Sequence, residues 1–468
     1  MTAVDVRHLA AGTLMPGFVG TSAPAWLLDA FDGGLAAVCL FGTNLVSWEQ
    51  LGELCAQLRE RFPHALLSVD EEGGDVTRLH YLDGSNQPGN AVLGRIDDAR
   101  ATSSAAAAIG AELASFGINL NLAPDADVNS ADENPVIGVR SFGADADHVA
   151  RHTVAWVEGL QQAGVAACAK HFPGHGDTTS DSHLALPRVS ASAQTLAGRE
   201  LEPFRAAAAA GVASIMTSHI VVDALDPDNP ATFSKIVLQD VLRGQLGFDG
   251  AVVTDALDMV GASGEIGIPA AAVRALTAGA DLLCIGSETT AEEYQAVLDG
   301  VVDAVANGTL ALTRLREAAN RVARLAADFP ARGGAFAGAL SGAAIPDPAA
   351  IRSTFQFSSD AQGWLEDLSP AAVVQLETET NYAVGTVPWG PAATGRTVPV
   401  EGVAPGQKVA VAGRGLDAGH PAWVLADDLR SAGHNTIVVE CGWPRGGADI
   451  VTYGASLAVS AALVDLLL

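Results

Sequence analysis

Eight short apolar runs, spaced along the first 286 residues with stretches of helical length between them, constrain this chain more than any other feature. They are TLMPGF (13–18), AAVCLFG (36–42), ALLSVD (65–70), INLNLAP (118–124), VAACAKH (165–171), ASIMTSH (213–219), GAVVTDA (250–256) and ADLLCIG (280–286). Each is nearly continuous in apolar residues and does not alternate, the pattern of parallel strands covered on both faces. Ala-rich periodic segments intervene, such as 99–117, 148–164 and 203–211. A strand–helix unit repeated eight times predicts an α/β fold of the (β/α)8, TIM-like barrel type, ahead of an open doubly wound sheet. Pro16 interrupts the first run and makes it the least regular strand.

A helical stretch from Ala291 to Asp328 follows the last run and stops near Pro330. The barrel is therefore expected to occupy residues 1–330. The Gly-, Ala- and Pro-rich segment 331–349 reads as a linker. Residues 350–468 carry three more apolar runs, AVVQLET, KVAVAG and TIVVECG, and one helical segment, PAWVLADDLRSAG. They predict a smaller α/β domain.

Composition narrows the function classes. The chain has 26 basic and 54 acidic residues, a formal charge of −28. Phosphate backbones and anionic membranes need clustered Lys and Arg, so neither nucleic acid nor a membrane surface is an expected partner. At 49% hydrophobic residues the chain is too apolar to be a disordered acidic segment. Five scattered cysteines without a CxxC pair read as free, mostly buried thiols. With no basic start followed by a long apolar core, the reading is a cytoplasmic protein. No run of about 20 uncharged apolar residues suggests a membrane span.

Polar residues gather where the strands end. Asp70 ends the third run, with Arg78 beyond it. Asp125 and Asp127 follow the fourth, and Arg140 lies further along. The fifth ends in Lys170–His171, the sixth in His219 and the seventh in Asp255. In a barrel these positions share the rim on which βα loops build active sites. Any one Asp could be a helix cap, but Arg, Lys and His do not serve as N-caps.

The densest stretch is AKHFPGHGDTTSDSHLALP (169–187), with three His, two Asp and Lys170 in one loop. Gly174 and Gly176 give it backbone freedom. Asp181 stands two residues before His183, and a carboxylate beside an imidazole fixes its tautomer and raises its pKa, which suits general acid/base work. Asp255 closes a strongly apolar strand and would point into the pocket, whereas Asp258 reads as a residue of the following helical turn. A carboxylate nucleophile opposite a separate acid/base is the arrangement of retaining glycosidases. The chain has three lysines, Lys170, Lys235 and Lys408. Retaining a lysine directly before His171 in an Arg-using chain suggests a compact ammonium that Arg cannot replace.

The blocks DEEGGDVTRL, NPVIGVRSFG, KHFPGHGDTTSDSHLALP and VVTDALDM resemble, in order, those of family 3 glycoside hydrolases, in the bacterial β-N-acetylglucosaminidase branch. The resemblance spans roughly residues 5–330. It implies that Asp255 is the nucleophile and His183 the general acid/base, with Asp181 as its dyad partner. It assigns Asp70, Arg78, Arg140, Lys170 and His171 to sugar binding and places Met216 and His219 in the same pocket. Glu71 departs from the family block, which often has Gln there, and is expected to tune the pocket. The substrate implied is a small β-N-acetylglucosaminide, such as a muropeptide fragment of cell-wall recycling, a chitin-derived oligosaccharide or a related β-glucoside. No cofactor or metal is implied. Because an imidazole, unlike a carboxylate, does not repel an incoming phosphate, phosphorolysis to a sugar 1-phosphate is the alternative.

Three rival readings fit the residues less well. A metal hydrolase could use His171, His175, Asp177, Asp181 and His183, but these lie in one Gly-rich loop and lack a helical i, i+4 His pair. The turn GRGLDA, with Gly413, Gly415, Ala418 and later Glu440, matches a dinucleotide fingerprint, yet too little chain follows to complete that domain. A non-catalytic sugar binder would need a broken nucleophile or dyad, and all three residues are present.

Overall fold

The structure, a computed structural model, describes residues 3–178, 186–264, 266–332, 346–378 and 383–468. Eight parallel strands follow the eight apolar runs: β1 (Leu14–Met15), β2 (Ala37–Leu40), β3 (Leu66–Val69), β4 (Leu120–Asn121), β5 (Ala166–Phe172), β6 (Ser214–Thr217), β7 (Ala251–Thr254) and β8 (Leu283–Cys284). Strands β2 to β7 pair in sequence order. The ring closes through β1, which pairs with β8. Cys39 N donates to Pro16 O at 3.0 Å on one side of it, and Thr254 N to Leu282 O at 2.9 Å on the other. The chain therefore forms the expected (β/α)8 barrel, with most strands shorter than their apolar runs.

Side-chain parity sorts each strand. Met15, Cys39, Leu66, Leu120, Ala166, Cys168, Met216, Val253 and Cys284 form one buried cluster, the filling of the barrel. The alternate residues Val38, Leu67, Ala167, Ile215, Val252 and Leu283 join a larger cluster shared with the surrounding helices. Both faces of the strands are thus apolar, which is why the runs show no alternation. The helical stretch 291–328 is two helices, Ala291–Ala306 and Leu312–Asp328. Gly308 breaks it at φ 82°, a left-handed conformation that glycine adopts without strain.

The second unit contains a five-stranded sheet. Its strands are β9 (Gln356–Phe357), β10 (Ala372–Gln375), β11 (Val409–Gly413), β12 (Thr436–Glu440) and β13 (Ile450–Val451). Their order is β9-β13-β12-β11-β10, with β9 antiparallel at one edge. Most of the expected linker, residues 333–345, lies outside the described set. The second unit meets the barrel near the mouth. Asp75 accepts from Ala455 N at 2.8 Å, and Arg445 Nη2 donates to Asn134 O at 2.8 Å. No helix among the described residues is long and apolar enough to cross a membrane.

Candidate active site

The parity that fills the barrel also aims its rim residues. Leu66 and Ser68 precede Asp70, Ala166 and Cys168 precede Lys170, and Ala251 and Val253 precede Asp255, each two residues apart. Asp70, Lys170 and Asp255 accordingly line a cavity of about 400 Å³ at the C-terminal mouth. Arg78, Arg140, His171 and Met216 line it too, as do Glu72, His175 and Asp258. Lys170 and His171 are neighbours in one strand, yet both face the cavity. The pairing of β5 with β6 shifts register between Ala169 and Phe172, which re-aims the strand end.

Glu72, which was not singled out from the sequence, anchors the cationic wall. Its carboxylate accepts from Arg140 Nε at 3.0 Å and Nη2 at 2.7 Å, and pairs with Lys170 Nζ at 2.8 Å. All three side chains are buried. Burial alone would favour a neutral carboxyl, but Arg140 and Lys170 hold Glu72 well below the usual carboxylate range. Lys170 also donates to Asp70 at 2.6 Å. Burial opposes its charge, and Asp70 and Glu72 outweigh that, raising it above an ordinary lysine.

Behind this wall Asp125 and Asp127 share one buried site. Burial first, then the charge on Asp127, pushes Asp125 far up. Asp127 is lowered, because the pull of His171 overcomes its burial. Two carboxyls this close in one buried site favour a single negative charge shared by the pair. Asp127 accepts from His171 Nδ1 at 2.7 Å and from the backbone N of His175 at 2.7 Å. Arg140 Nη2 lies 3.3 Å from His171 Nε2. Arginine can only donate, so the His171 proton sits on Nδ1, toward Asp127. Burial depresses His175 to about 4, leaving a neutral imidazole. Asp125, Asp127 and His171 bring three ligand-type atoms within 4.8 Å of one another and, among the described residues, are the group beside this cavity that could hold a metal.

Asp255 is half-buried at the end of β7. Its Oδ1 accepts from Ala256 N at 2.8 Å. Arg78 donates to backbone oxygens of Thr77 and Ala383, the latter at 2.7 Å, and Ala383 of the second unit also forms part of the cavity wall. Glu71 lies outside the cavity. Its Oε2 accepts from Thr77 Oγ1 and from the backbone N of Arg78 and Leu79, so it shapes the turn that carries Arg78.

His219, expected on the pocket wall, is not among the residues that line it. It follows the outward parity of Ile215 and Thr217 and sits fully buried behind the strand, bonded to Thr232 Oγ1 at 2.9 Å and to Ala256 O at 3.0 Å. It can steady the residue next to Asp255 but faces away from the cavity. Asp181 and His183 lie outside the described residues. In the second unit, Glu440 accepts from Gly415 N at 2.9 Å and Leu416 N at 2.6 Å. The acidic residue of the apparent dinucleotide fingerprint is thus consumed by its own turn.

Residues 23–325 match the glycosyl hydrolase family 3 N terminal domain. A beta-hexosaminidase of Neisseria meningitidis is 39% identical over 268 residues, which cover 55% of this chain and 72% of that protein. A family 3 beta-N-acetylglucosaminidase from Paenibacillus sp. str. FPU-7 superposes with TM-score 0.85 at 31% identity, covering 98% of this chain and 96% of that one. A beta-N-acetylhexosaminidase from Beutenbergia cavernae has TM-score 0.61 and 32% identity, covering 69% of this chain and 98% of its own.

Proposed function

The chain belongs to glycosyl hydrolase family 3, and from that premise we propose that it is a retaining exo-β-N-acetylglucosaminidase that removes terminal β-linked N-acetylglucosamine. The observation that carries the reading is the half-buried Asp255 carboxylate, set in one cavity with Asp70, Arg140, Lys170 and His171. Asp255 attacks the anomeric carbon while His183, held by Asp181, protonates the leaving oxygen. Water activated by His183 then opens the glycosyl-enzyme, with net retention. Asp70, Arg78, Arg140, Lys170 and His171 bind the sugar hydroxyls, while Glu72 holds Arg140 and Lys170 in place and Asp127 holds the His171 ring. The five cysteines, all free and buried, support a cytoplasmic setting.

Phosphorolysis is a second reading, supported by Arg78. Among the described residues this cavity-lining guanidinium pairs with no carboxylate, so it offers charge to an anionic acceptor. Turnover of an aryl β-N-acetylglucosaminide by Asp255→Ala tests the nucleophile, and retained activity would refute it. Product analysis with and without phosphate tests the acceptor. Sugar 1-phosphate would establish phosphorolysis, and free sugar at an unchanged rate would exclude it.

A further inference from the structure

Among the helices around the barrel, three metal-ligating side chains from two elements converge, and none of them lines the catalytic cavity. His148 and His152 lie one turn apart on the helix Ala146–Gln162, and Asp97 caps the helix Asn90–Ile96. Asp97 Oδ1 is 3.6 Å from His148 Nδ1 and 3.7 Å from His152 Nε2, and all three ligand atoms lie within 4.8 Å of one another. Ligands of a tetrahedral zinc ion, at about 2.0–2.1 Å from the metal, stand roughly 3.4 Å apart. The second observation is His152 itself. It is fully buried, and its Nε2 has no hydrogen-bond partner. A buried polar atom left unpaired is costly and calls for a reason. Its other nitrogen is held by Thr102 Oγ1 at 2.7 Å, and its ring stacks on Phe142, which together fix the direction in which Nε2 points.

We propose that Asp97, His148 and His152 form a binding site for a divalent zinc-type ion, with water completing the coordination. Two imidazoles and one carboxylate suit a borderline-soft transition metal over calcium or magnesium. Arg151 holds the metal's place. Its Nη2 lies 2.7 Å from Asp97 Oδ1 and 3.0 Å from His148 Nδ1, and as a half-exposed side chain it can swing out to solvent. A bound ion would tie the end of one helix to the side of another. Helix Asn90–Ile96 also carries Arg95, which donates to Thr354 O at 2.7 Å in the second unit, so the ion would stiffen a link between the two units.

Zinc titration of the chelator-treated full chain by calorimetry tests this. The wild type should take up at least one equivalent at micromolar free zinc. His148→Ala and Asp97→Ala, which spare the buried His152, should each lose one equivalent or weaken it at least tenfold. Arg151→Ala should tighten the same equivalent about tenfold, since a competing cation is removed. All three should turn over the aryl substrate at the wild-type rate, which distinguishes this site from Asp125, Asp127 and His171. No uptake by the wild type, unchanged stoichiometry and affinity in both ligand variants, or weaker binding by Arg151→Ala would overturn the proposal.

Discussion

Replacing Glu72 by Gln would test how the cationic wall is held. The substitution keeps the shape of the side chain and removes one charge. Glu72, Arg140 and Lys170 are exposed by only 3%, 6% and 2%. At an effective dielectric near 20, a pair about 4 Å apart contributes roughly 4 kcal/mol. Breaking a buried pair from one side typically costs about 3–5 kcal/mol, because the partner stays buried and uncompensated. Here Asp70 still faces Lys170 at 2.6 Å, so the lower end applies. The expected loss is about 3 kcal/mol, and at roughly 2 °C per kcal/mol for a domain of this size Tm falls by about 6 °C. With both cations loosened, KM for an aryl β-N-acetylglucosaminide should rise about tenfold, with a smaller fall in kcat. In Glu72→Gln/Arg140→Met the two losses should sum to less than the separate values by about 1–3 kcal/mol. Thermal and urea unfolding with steady-state kinetics provide the readouts. A variant within 1 kcal/mol of wild type, with unchanged KM, would refute the role of Glu72.

Other predictions concern the loop and the second unit. A Cβ on Gly176 would lie 1.8 Å from Val128 O, a backbone atom, so Gly176→Ala must displace the loop that leads to Asp181 and His183. Its kcat should drop at least tenfold with an unchanged circular dichroism spectrum, and a wild-type kcat would contradict the placement of that loop. Burial raises Glu440 to about 7, outweighing the hydrogen bonds from Leu416 and Gly415. The folded state therefore binds the proton more tightly than the unfolded state, and stability should fall as pH rises from about 4.5 to about 7. Glu440→Gln should remove that slope. A stability–pH curve that is the same in both proteins would show that Glu440 is not its source.

The barrel was legible because parallel strands buried on both faces leave continuous apolar runs, and each of the eight runs contains a strand. Their ends were less legible. Residues 118–124 supply only a two-residue strand, although the backbone beyond it stays bonded to β5 through Ala123 O, Pro124 O and Ala126 N. Strands β9 and β13 have two residues each, too few to show any period. At the site, inward parity explains why Asp70, Lys170 and Asp255 could be found from their positions at strand ends. His219 was misplaced because the same parity turns it outward. Glu72 was missed, and Asp127 was read only as a rim residue, because their roles depend on partners 68 and 44 residues away. The D-A-D spacing after β4 was the available signal for the second. Lysine scarcity pointed to Lys170 but could not separate it from Lys408, which is buried over the Trp364 ring at 3.9 Å.

The most direct test of the account is peptide mapping of the enzyme after reaction with an activated 5-fluoro N-acetylglucosaminyl donor, whose glycosyl-enzyme turns over slowly. The account predicts one sugar adduct, attached to Asp255, and no adduct in Asp255→Ala. An adduct on a different carboxylate would contradict it. So would an unlabelled enzyme that still consumes the donor.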